Sequence, residues 1–262
     1  MRQRLFCPLT CNSLAGLVVS GVSHSEIAMT ALSPQVQAAK RDRETGRMTL
    51  RRFFVENGLS VVLMVLFLVF WFLQTITGYH SYNEDQREHG EDPITLVEYL
   101  KSGHFVEATS ENWESEFLQM AAFVWLTSFL FQKGSPESND PYEKEEVPPV
   151  TEKSPWPARR GGWILKLYAN SLSLAFLLIF LISWIIHGIS GARLYSEEQS
   201  AHGLGPLSFL QYIRLSRFWF ESFQNWQSEF LAIFLMVLLA VFLRQKNSPE
   251  SKPVETPHSE NE

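Results

Sequence analysis

The sequence contains almost the same eight residues twice, as NWESEFLQ at 112–119 and as NWQSEFLA at 225–232. Each copy places a glutamate, Glu116 or Glu229, at the start of a long apolar run. The similarity extends well beyond these eight residues, because 53–138 align with 166–251 without a gap and identical residues recur throughout. The pattern predicts two tandem copies of one structural unit, packed as parallel repeats about an axis along the membrane normal.

Four apolar runs carry almost no charge, and they occupy residues 59–77, 117–131, 172–191 and 230–243. The first and third have the roughly 20 residues that a helix needs to cross a bilayer. The other two are long enough when counted from Trp113 and Trp226, which fit interfacial anchors. A soluble bundle would have to hide all four runs in one small core. We therefore predict an all-α membrane protein with four transmembrane helices, arranged as two tandem two-helix hairpin repeats (period 113).

The basic residues predict the orientation of these helices. Arg and Lys flank the runs at 41–52, at Lys133, at 159–166 and at 244–246, whereas the connections 78–112 and 192–225 hold fewer of them. Because cytoplasmic flanks are enriched in Lys and Arg, both termini and the 132–163 linker are predicted to be cytoplasmic. The two hairpin connections then face outward.

The predicted domain boundaries follow from composition. Proline and glutamate dominate the linker and the tail, which is typical of disordered segments. We expect the residues before Met48 to be disordered too, and Met48 offers a natural start before the first helix. The predicted parts are a disordered extension at 1–47, hairpin repeat 1 at 48–133, a disordered linker at 134–158, hairpin repeat 2 at 159–246 and a disordered tail at 247–262.

Residues shared by the two copies fall on one face of each predicted helix, and polar groups on such faces can hydrogen-bond between helices. The candidates for a functional or inter-repeat polar network are Glu116, Glu229, His89, His202, Tyr82, Tyr195, Gln86 and Gln199. The spacing predicts that the first helix of each repeat continues through the tyrosine, glutamine and histidine. A helix-ending glycine would follow at Gly90 and Gly203, and Pro93 and Pro206 would lie in the first turn of a short new helix.

Three interpretations of Glu116 and Glu229 remain open. Each could favour the dipole of a helix that begins at Asn112 or Asn225 as N-cap. Each could instead join a network between the repeats, or contact an ion or substrate. His89 and His202 could pack beside their own helix ends, or hold a divalent metal with the two glutamates. We predict no metal site, because neither repeat contains a self-sufficient metal motif.

The composition excludes several classes of function. A net charge of −6 does not fit a nucleic-acid-binding surface, and Cys7 and Cys11 lack the further ligands of a zinc site. Motifs for phosphate loops, dinucleotide binding, serine hydrolases and metalloproteases are missing from the sequence, so no catalytic residue and no cofactor are predicted.

We interpret the chain as a non-enzymatic structural or interaction component whose partner is the lipid bilayer. The alternatives are a small channel or transporter along the axis between the repeats and, less favoured, a metal-dependent membrane enzyme. A homo-oligomer is compatible with the architecture, and the sequence identifies no protein partner.

Two repeated motifs, Y-x-E-x-Q-x-x-H-G-x-x-P and N-W-x-S-E-F, make residues 48–251 similar to a family of small bacterial membrane proteins known as a domain of unknown function. The resemblance implies an integral protein of the bacterial plasma (inner) membrane. It implies no activity, substrate or partner. Residues 1–47 depart from the family pattern, which begins near the first helix.

Overall fold

A computed structural model describes residues 33–140, 142, 147–201 and 205–258. The chain divides into two compact units, Met1–Gln74 and Thr75–Glu262. Throughout the described residues the secondary structure is helical, without strands. The prediction of an all-α fold is therefore confirmed.

The helices follow one another along the chain and are joined by short turns or by the linker. They are α1 (Pro34–Glu44), α2 (Leu50–Glu88), α3 (Leu96–Tyr99), α4 (Gly103–Leu126), α5 (Trp156–Arg160), α6 (Gly162–Ala169), α7 (Ser171–Ala201), α8 (Phe209–Tyr212) and α9 (Ser216–Phe242). In the described part of the chain, α2, α7 and α9 are long and apolar enough to cross a membrane. At most 17% of the most apolar stretch of any of these three is buried. Their apolar side chains therefore point outward, which suggests a membrane protein.

Helix α4 differs from the predicted second transmembrane run. It ends at Leu126, so the last part of 117–131 is not helical, and α4 is not among the three helices with a long apolar stretch. The reason is that α4 carries buried polar side chains, among them Glu107, Glu114 and Gln119. It packs most extensively on α7 and next on α9. Helix α4 is therefore an interior helix of the second unit.

The predicted starts of α4 and α9 are wrong. Asn112 and Asn225 were expected to be N-caps, but the helices begin well before them, at Gly103 and Ser216. The hydroxyl of Ser102 caps α4 by accepting from the Phe105 amide at 3.2 Å. Both asparagines instead donate to backbone carbonyls four residues earlier in their own helices. Because the dipole effect is confined to the first turn, the helix-dipole interpretation of Glu116 and Glu229 is wrong as well.

The connection after α2 follows the prediction in part. Helix α2 ends at Glu88 and Gly90 has a φ of +79°, so the predicted helix-ending glycine is confirmed, while Gly203 lies outside the described residues. Pro93 and Pro206 do not lie in a first helical turn. Helices α3 and α8 begin three residues later because Thr95 and Ser208 act as N-caps. Their amides donate to the Glu98 and Gln211 side chains at 2.8 and 2.9 Å, in the capping-box arrangement.

The core of the second unit consists of aromatic residues around a close contact between α4 and α7. Tyr212 and Phe218 are fully buried, and Tyr99 is nearly so. Gly103 permits the close contact, since a Cβ at this position would lie 3.1 Å from the Leu194 nitrogen. Gly191 of α7 likewise packs directly on the Tyr212 ring. Small residues at such positions allow helix backbones to approach closely, as they do in membrane proteins.

The described parts of the segments predicted to be disordered contain defined structure. Helix α1 lies within residues 1–47, where Ser33 caps it. After α4 and α9, the Ser138 and Ser251 hydroxyls each accept a bond of 2.7 Å from the amide six residues earlier. The Lys252 ammonium is buried and donates to the carbonyls of Pro257 and His258. Residues 1–32, 141, 143–146 and 259–262 of these segments lie outside the described residues.

Candidate functional site

Ionisable side chains from three helices meet in the interior of the second unit. Helix α4 contributes Glu107 and Glu114, α7 contributes His187, and α9 contributes Glu221. Glu114 and His187 have no exposed surface, and Glu107 is only 7% exposed. Because an isolated charge in an interior is strongly unfavourable, these groups are expected to be stabilised by one another. We call these four residues and Tyr212 the buried cluster.

His187 and Glu114 form the centre of the buried cluster. The His187 Nδ1 atom lies 2.7 Å from Glu114 Oε2, and Trp226 Nε1 donates to Glu114 Oε1 at 3.0 Å. A carboxylate can only accept, so Nδ1 carries a proton and donates it to Glu114. Both oxygens of Glu114 are therefore used, and this single side chain connects α4 to α7 and α9.

Glu221 is held on its two sides by different partners. Its Oε1 accepts from Arg217 Nε at 2.9 Å, and its Oε2 accepts from the Tyr212 hydroxyl at 2.7 Å. Arg217 also donates to Glu198 at 2.5 and 3.1 Å, and its guanidinium lies over the Tyr195 ring. These bonds orient Oε2 towards His187, whose Nε2 is 3.6 Å away.

Tyr212 connects the two remaining carboxylates. Its hydroxyl lies 3.3 Å from Glu107 Oε1 as well as 2.7 Å from Glu221. Burial, followed by the bond to Glu221, raises the pKa of Tyr212, so the hydroxyl keeps its proton and acts as a donor. One turn after Glu107, Glu111 accepts a bond from the Asn225 side chain.

The buried cluster and its immediate partners hold more acidic than basic side chains. The acidic ones are Glu107, Glu111, Glu114, Glu198 and Glu221, and the basic ones are His187 and Arg217. Opposite charges stabilise buried carboxylates, so an excess of acid in an interior favours the uptake of positive charge. The arrangement can therefore hold protons or a cation.

The structure brings Glu116 and Glu229 together outside the buried cluster. Glu116 is exposed, Glu229 is half-buried, and the two carboxylates are close enough to interact electrostatically. Gln119 of α4 also donates to the Glu229 carbonyl at 3.1 Å. Helices α4 and α9 are therefore in polar contact near these two glutamates.

We expect Glu116→Gln and Glu229→Gln to have non-additive effects on stability. Two carboxylates in contact share a proton or cation, so either substitution relieves the same repulsion. A double-mutant cycle in detergent should give a coupling of more than ~0.5 kcal/mol. Glu98→Gln, at an exposed α3 position, is a control that should show no coupling to Glu229→Gln. Additive effects would show that the two carboxylates act independently.

The other predicted site residues lie at the ends of the helices. Tyr82 and Tyr195 pack on Tyr99 and Tyr212, with ring centroids 5.8 and 6.0 Å apart. Gln86 and Gln199 are half-buried. Near Tyr82, the Tyr99 hydroxyl lies 3.3 Å from His104 Nδ1. The two tyrosine pairs therefore occupy corresponding places, and only the second pair includes a member of the buried cluster, Tyr212.

His89, one of the two predicted histidines, does not belong to the buried cluster. His89 is exposed and its Nδ1 lies 2.8 Å from the carbonyl of Asp85 in its own helix. His202 lies outside the described residues. A metal held jointly by His89 and His202 thus remains untested.

The sequence comparison missed the buried cluster because most of it differs between the two copies. Four of its residues have a different residue at the aligned position. Gln74 aligns with His187, Gln227 with Glu114, Phe220 with Glu107, and Ala108 with Glu221. Comparing the copies selects residues that match, and so it discards these. A helical signal was nevertheless present, since Glu107, Glu111 and Glu114 share one face at spacings of four and three. Arg217 and Glu221 add an i,i+4 pair.

The fold and the buried cluster define an α-helical protein with three helices suited to crossing a membrane and ionisable groups between its packed helices. The family model described as Domain of unknown function (DUF6766) matches residues 50–262, and the chain belongs to this family. The predicted membership of a family of unknown function is therefore confirmed. No curated protein and no solved structure matches the chain.

Proposed function

We propose that the chain is a multi-pass integral protein of the bacterial plasma membrane, with four crossings and both termini in the cytoplasm. The observation that carries this proposal is the outward apolar surface of α2, α7 and α9, which water would not tolerate and lipid would cover. Helix α4, with its exposed tryptophans Trp113 and Trp125, would provide the remaining crossing within the bundle. An even number of crossings is consistent with basic flanks on one side.

The proposed organisation is two fused hairpins related by the same shift that aligns 53–138 with 166–251. Several structural features recur at this spacing: α3 and α8 are related by it, as are the starts of α4 and α9. Side-chain contacts recur as well. Asn83 accepts from the Ile94 amide at 2.8 Å, and Ser196 accepts from the Leu207 amide at 2.9 Å. Both sets of recurrences support a duplication.

Within the membrane, we take the protein to be a structural or interaction component without enzymatic activity. The ionisable groups of the buried cluster are engaged mainly with one another, and they connect α4, α7 and α9. Buried polar networks of this kind specify one arrangement of helices. A rigid bundle with apolar outer faces is suited to association with lipid, with further copies or with other membrane proteins.

A second candidate, a small cation channel or transporter, is favoured by one observation. The buried cluster joins residues of both hairpins at the junction between them, and ionisable residues at membrane depth often mark ion pathways. Flux of protons and metal cations into liposomes containing the protein would distinguish the two candidates. Flux that Glu114→Gln abolishes would favour the transporter, and flux equal to that of empty liposomes would favour the structural component.

Reporter fusions test the topology. Fusions at Asp140 and at the C-terminus should be active with a reporter that works only in the cytoplasm. Fusions at Glu91 and Gly205 should be active with a reporter that works only outside the membrane. The reason is the concentration of Lys and Arg on one side of the predicted crossings. An external C-terminus would contradict the proposal, because an internal start would then require an odd number of crossings.

A further inference from the structure

His187 has one ring nitrogen without a hydrogen-bond partner. Among the residues that the structure describes, Nε2 is a fully buried polar atom that makes no hydrogen bond. Its nearest carboxylate oxygen, Glu221 Oε2, is 3.6 Å away, which is too long for a hydrogen bond. A buried nitrogen without a partner is energetically unfavourable, so this one calls for an explanation.

The surroundings of Nε2 have the chemistry of a metal site. Glu107, His187 and Glu221 each offer one ligand atom, and these three atoms lie within 4.8 Å of one another. In a tetrahedral site with bonds of ~2.1 Å, two ligand atoms lie roughly 3.4 Å apart. The 3.6 Å between His187 Nε2 and Glu221 Oε2 is close to this value. Glu107 would need to approach by about an ångström, which its flexible side chain can do.

We propose that Glu107, His187 and Glu221 bind one divalent transition-metal ion, and that Zn²⁺ fits best. A neutral imidazole nitrogen and two carboxylates are ligands that zinc accepts. Three protein ligands leave one position of a tetrahedral ion for water, as in open zinc sites. The ion would also give the Nε2 lone pair a partner and offset the excess of acidic groups.

Outer-shell partners already hold each of the three ligands in place. His187 Nδ1 donates a hydrogen bond to Glu114 Oε2 at 2.7 Å, so the lone pair of Nε2 is available to a metal. Trp226 Nε1 in turn donates to Glu114 Oε1 and holds it in place. Arg217 and Tyr212 orient Glu221, and Tyr212 also contacts Glu107. A carboxylate behind a metal-binding histidine is the usual arrangement in zinc proteins. The partners that orient the ligands are thus in place before any ion enters, and Glu107 is the ligand that has to move.

The competing explanation is a plain ion pair. A doubly protonated His187 would place an N–H at 3.6 Å from Glu221 and require no metal. The neighbouring Arg217 also reduces the attraction of Glu221 for a cation, and this counts against the metal. The metal site and the ion pair differ in whether Glu107 is needed and in whether zinc binds. The proposal goes beyond the proposed function and does not depend on the number of crossings.

The test is zinc binding by the full chain purified in detergent, with an affinity tag that contains no histidine. After treatment with a chelator and dialysis, titration with zinc chloride followed by elemental analysis should give one ion per chain. X-ray absorption of the zinc complex should show one nitrogen and two or three oxygen neighbours at ~2.0–2.2 Å. Zinc should also raise the thermal unfolding temperature of the protein.

Matched variants make the result specific. Glu107→Gln and His187→Gln should abolish stoichiometric binding, and the outer-shell change Glu114→Gln should weaken it ~10–100-fold. Glu98→Gln, at an exposed position of α3 outside the buried cluster, should bind as the unmodified protein does. Circular dichroism and gel filtration identify any variant that fails to fold. If only some variants fold, zinc binding by Glu107→Gln, the mildest change, decides whether the site exists. No zinc uptake by the unmodified protein, or uptake unchanged in folded Glu107→Gln, would overturn the proposal and leave the ion pair only.

Discussion

Replacing Glu114 with alanine is expected to destabilise the protein by about 3–5 kcal/mol, as does the removal of one partner from other buried charge pairs. The Glu114 carboxylate is fully buried and accepts from both His187 Nδ1 and Trp226 Nε1. Its loss leaves both donors without an acceptor in the interior. Thermal or denaturant unfolding in detergent, followed by circular dichroism, measures the effect.

The chain contains a matched control for this substitution. Gln227 occupies the position equivalent to Glu114 in the second copy, but it is exposed on α9. Gln227→Ala should therefore change stability by less than ~0.5 kcal/mol. Glu114→Gln should lie between the two, because its amide oxygen can accept only one of the two bonds well. Equal effects of Glu114→Ala and Gln227→Ala would refute the assigned role of Glu114.

The second large effect is expected for Gly191→Ala, at about 1–3 kcal/mol of destabilisation, the usual cost of overpacking. A Cβ at Gly191 would lie 2.6 Å from a Tyr212 ring carbon and 2.7 Å from Glu107 Oε1. Tyr212 is fully buried, so its ring cannot move aside without disturbing the core. The added methyl group should therefore displace both side chains from the buried cluster, which the unfolding temperature and zinc uptake would both report.

Gly58→Ala provides the comparison for Gly191→Ala. Gly58 also lies within a helix, α2, but a Cβ there would meet no atom within 4 Å. Alanine is favoured over glycine in a helix by roughly 1 kcal/mol, so this variant should be as stable as the unmodified protein or more so. If Gly191→Ala were equally harmless, the close packing of α7 against Tyr212 would be incorrect.

Part of the fold could be predicted because it depends on local rules. The apolar runs at 59–77, 172–191 and 230–243 lie within or largely within α2, α7 and α9, since length and hydropathy alone identify such helices. The end of α2 before Gly90 was also predictable, because glycine adopts the required positive φ without strain. The starts of α4 and α9 were not. Helix α4 begins after its N-cap Ser102 and α9 after Leu215, which has no side-chain cap bond, so an asparagine cap marks neither start.

The buried cluster was missed for a different physical reason. Alignment of 53–138 with 166–251 pairs each position with a counterpart, yet a site between the two segments needs only one residue of each pair. Glu114 is buried beside His187, whereas its counterpart Gln227 is exposed, so the two positions have different roles. Identity between the aligned segments marked Glu116 and Glu229, which lie outside the buried cluster, Glu116 being exposed and Glu229 half-buried. The Glu116/Glu229 pair and the Glu114/Gln227 pair differ in burial, which a single sequence does not reveal.

The most direct test of the central claim is a cross-link between α4 and α9 in native membranes. Glu111 and Asn225 contact each other beside the buried cluster, so Glu111→Cys and Asn225→Cys should be joined by a short thiol-specific reagent. Cys7 and Cys11 would first be replaced by serine, and a protease site in the 147–154 linker would separate the two halves. We predict that the reagent holds the halves together after cleavage, and that Glu111→Cys with Gln227→Cys does not. If the halves of the Glu111→Cys, Asn225→Cys protein separate after cleavage, α4 and α9 do not meet beside the buried cluster. Equally efficient cross-linking of the control pair would contradict that contact as well.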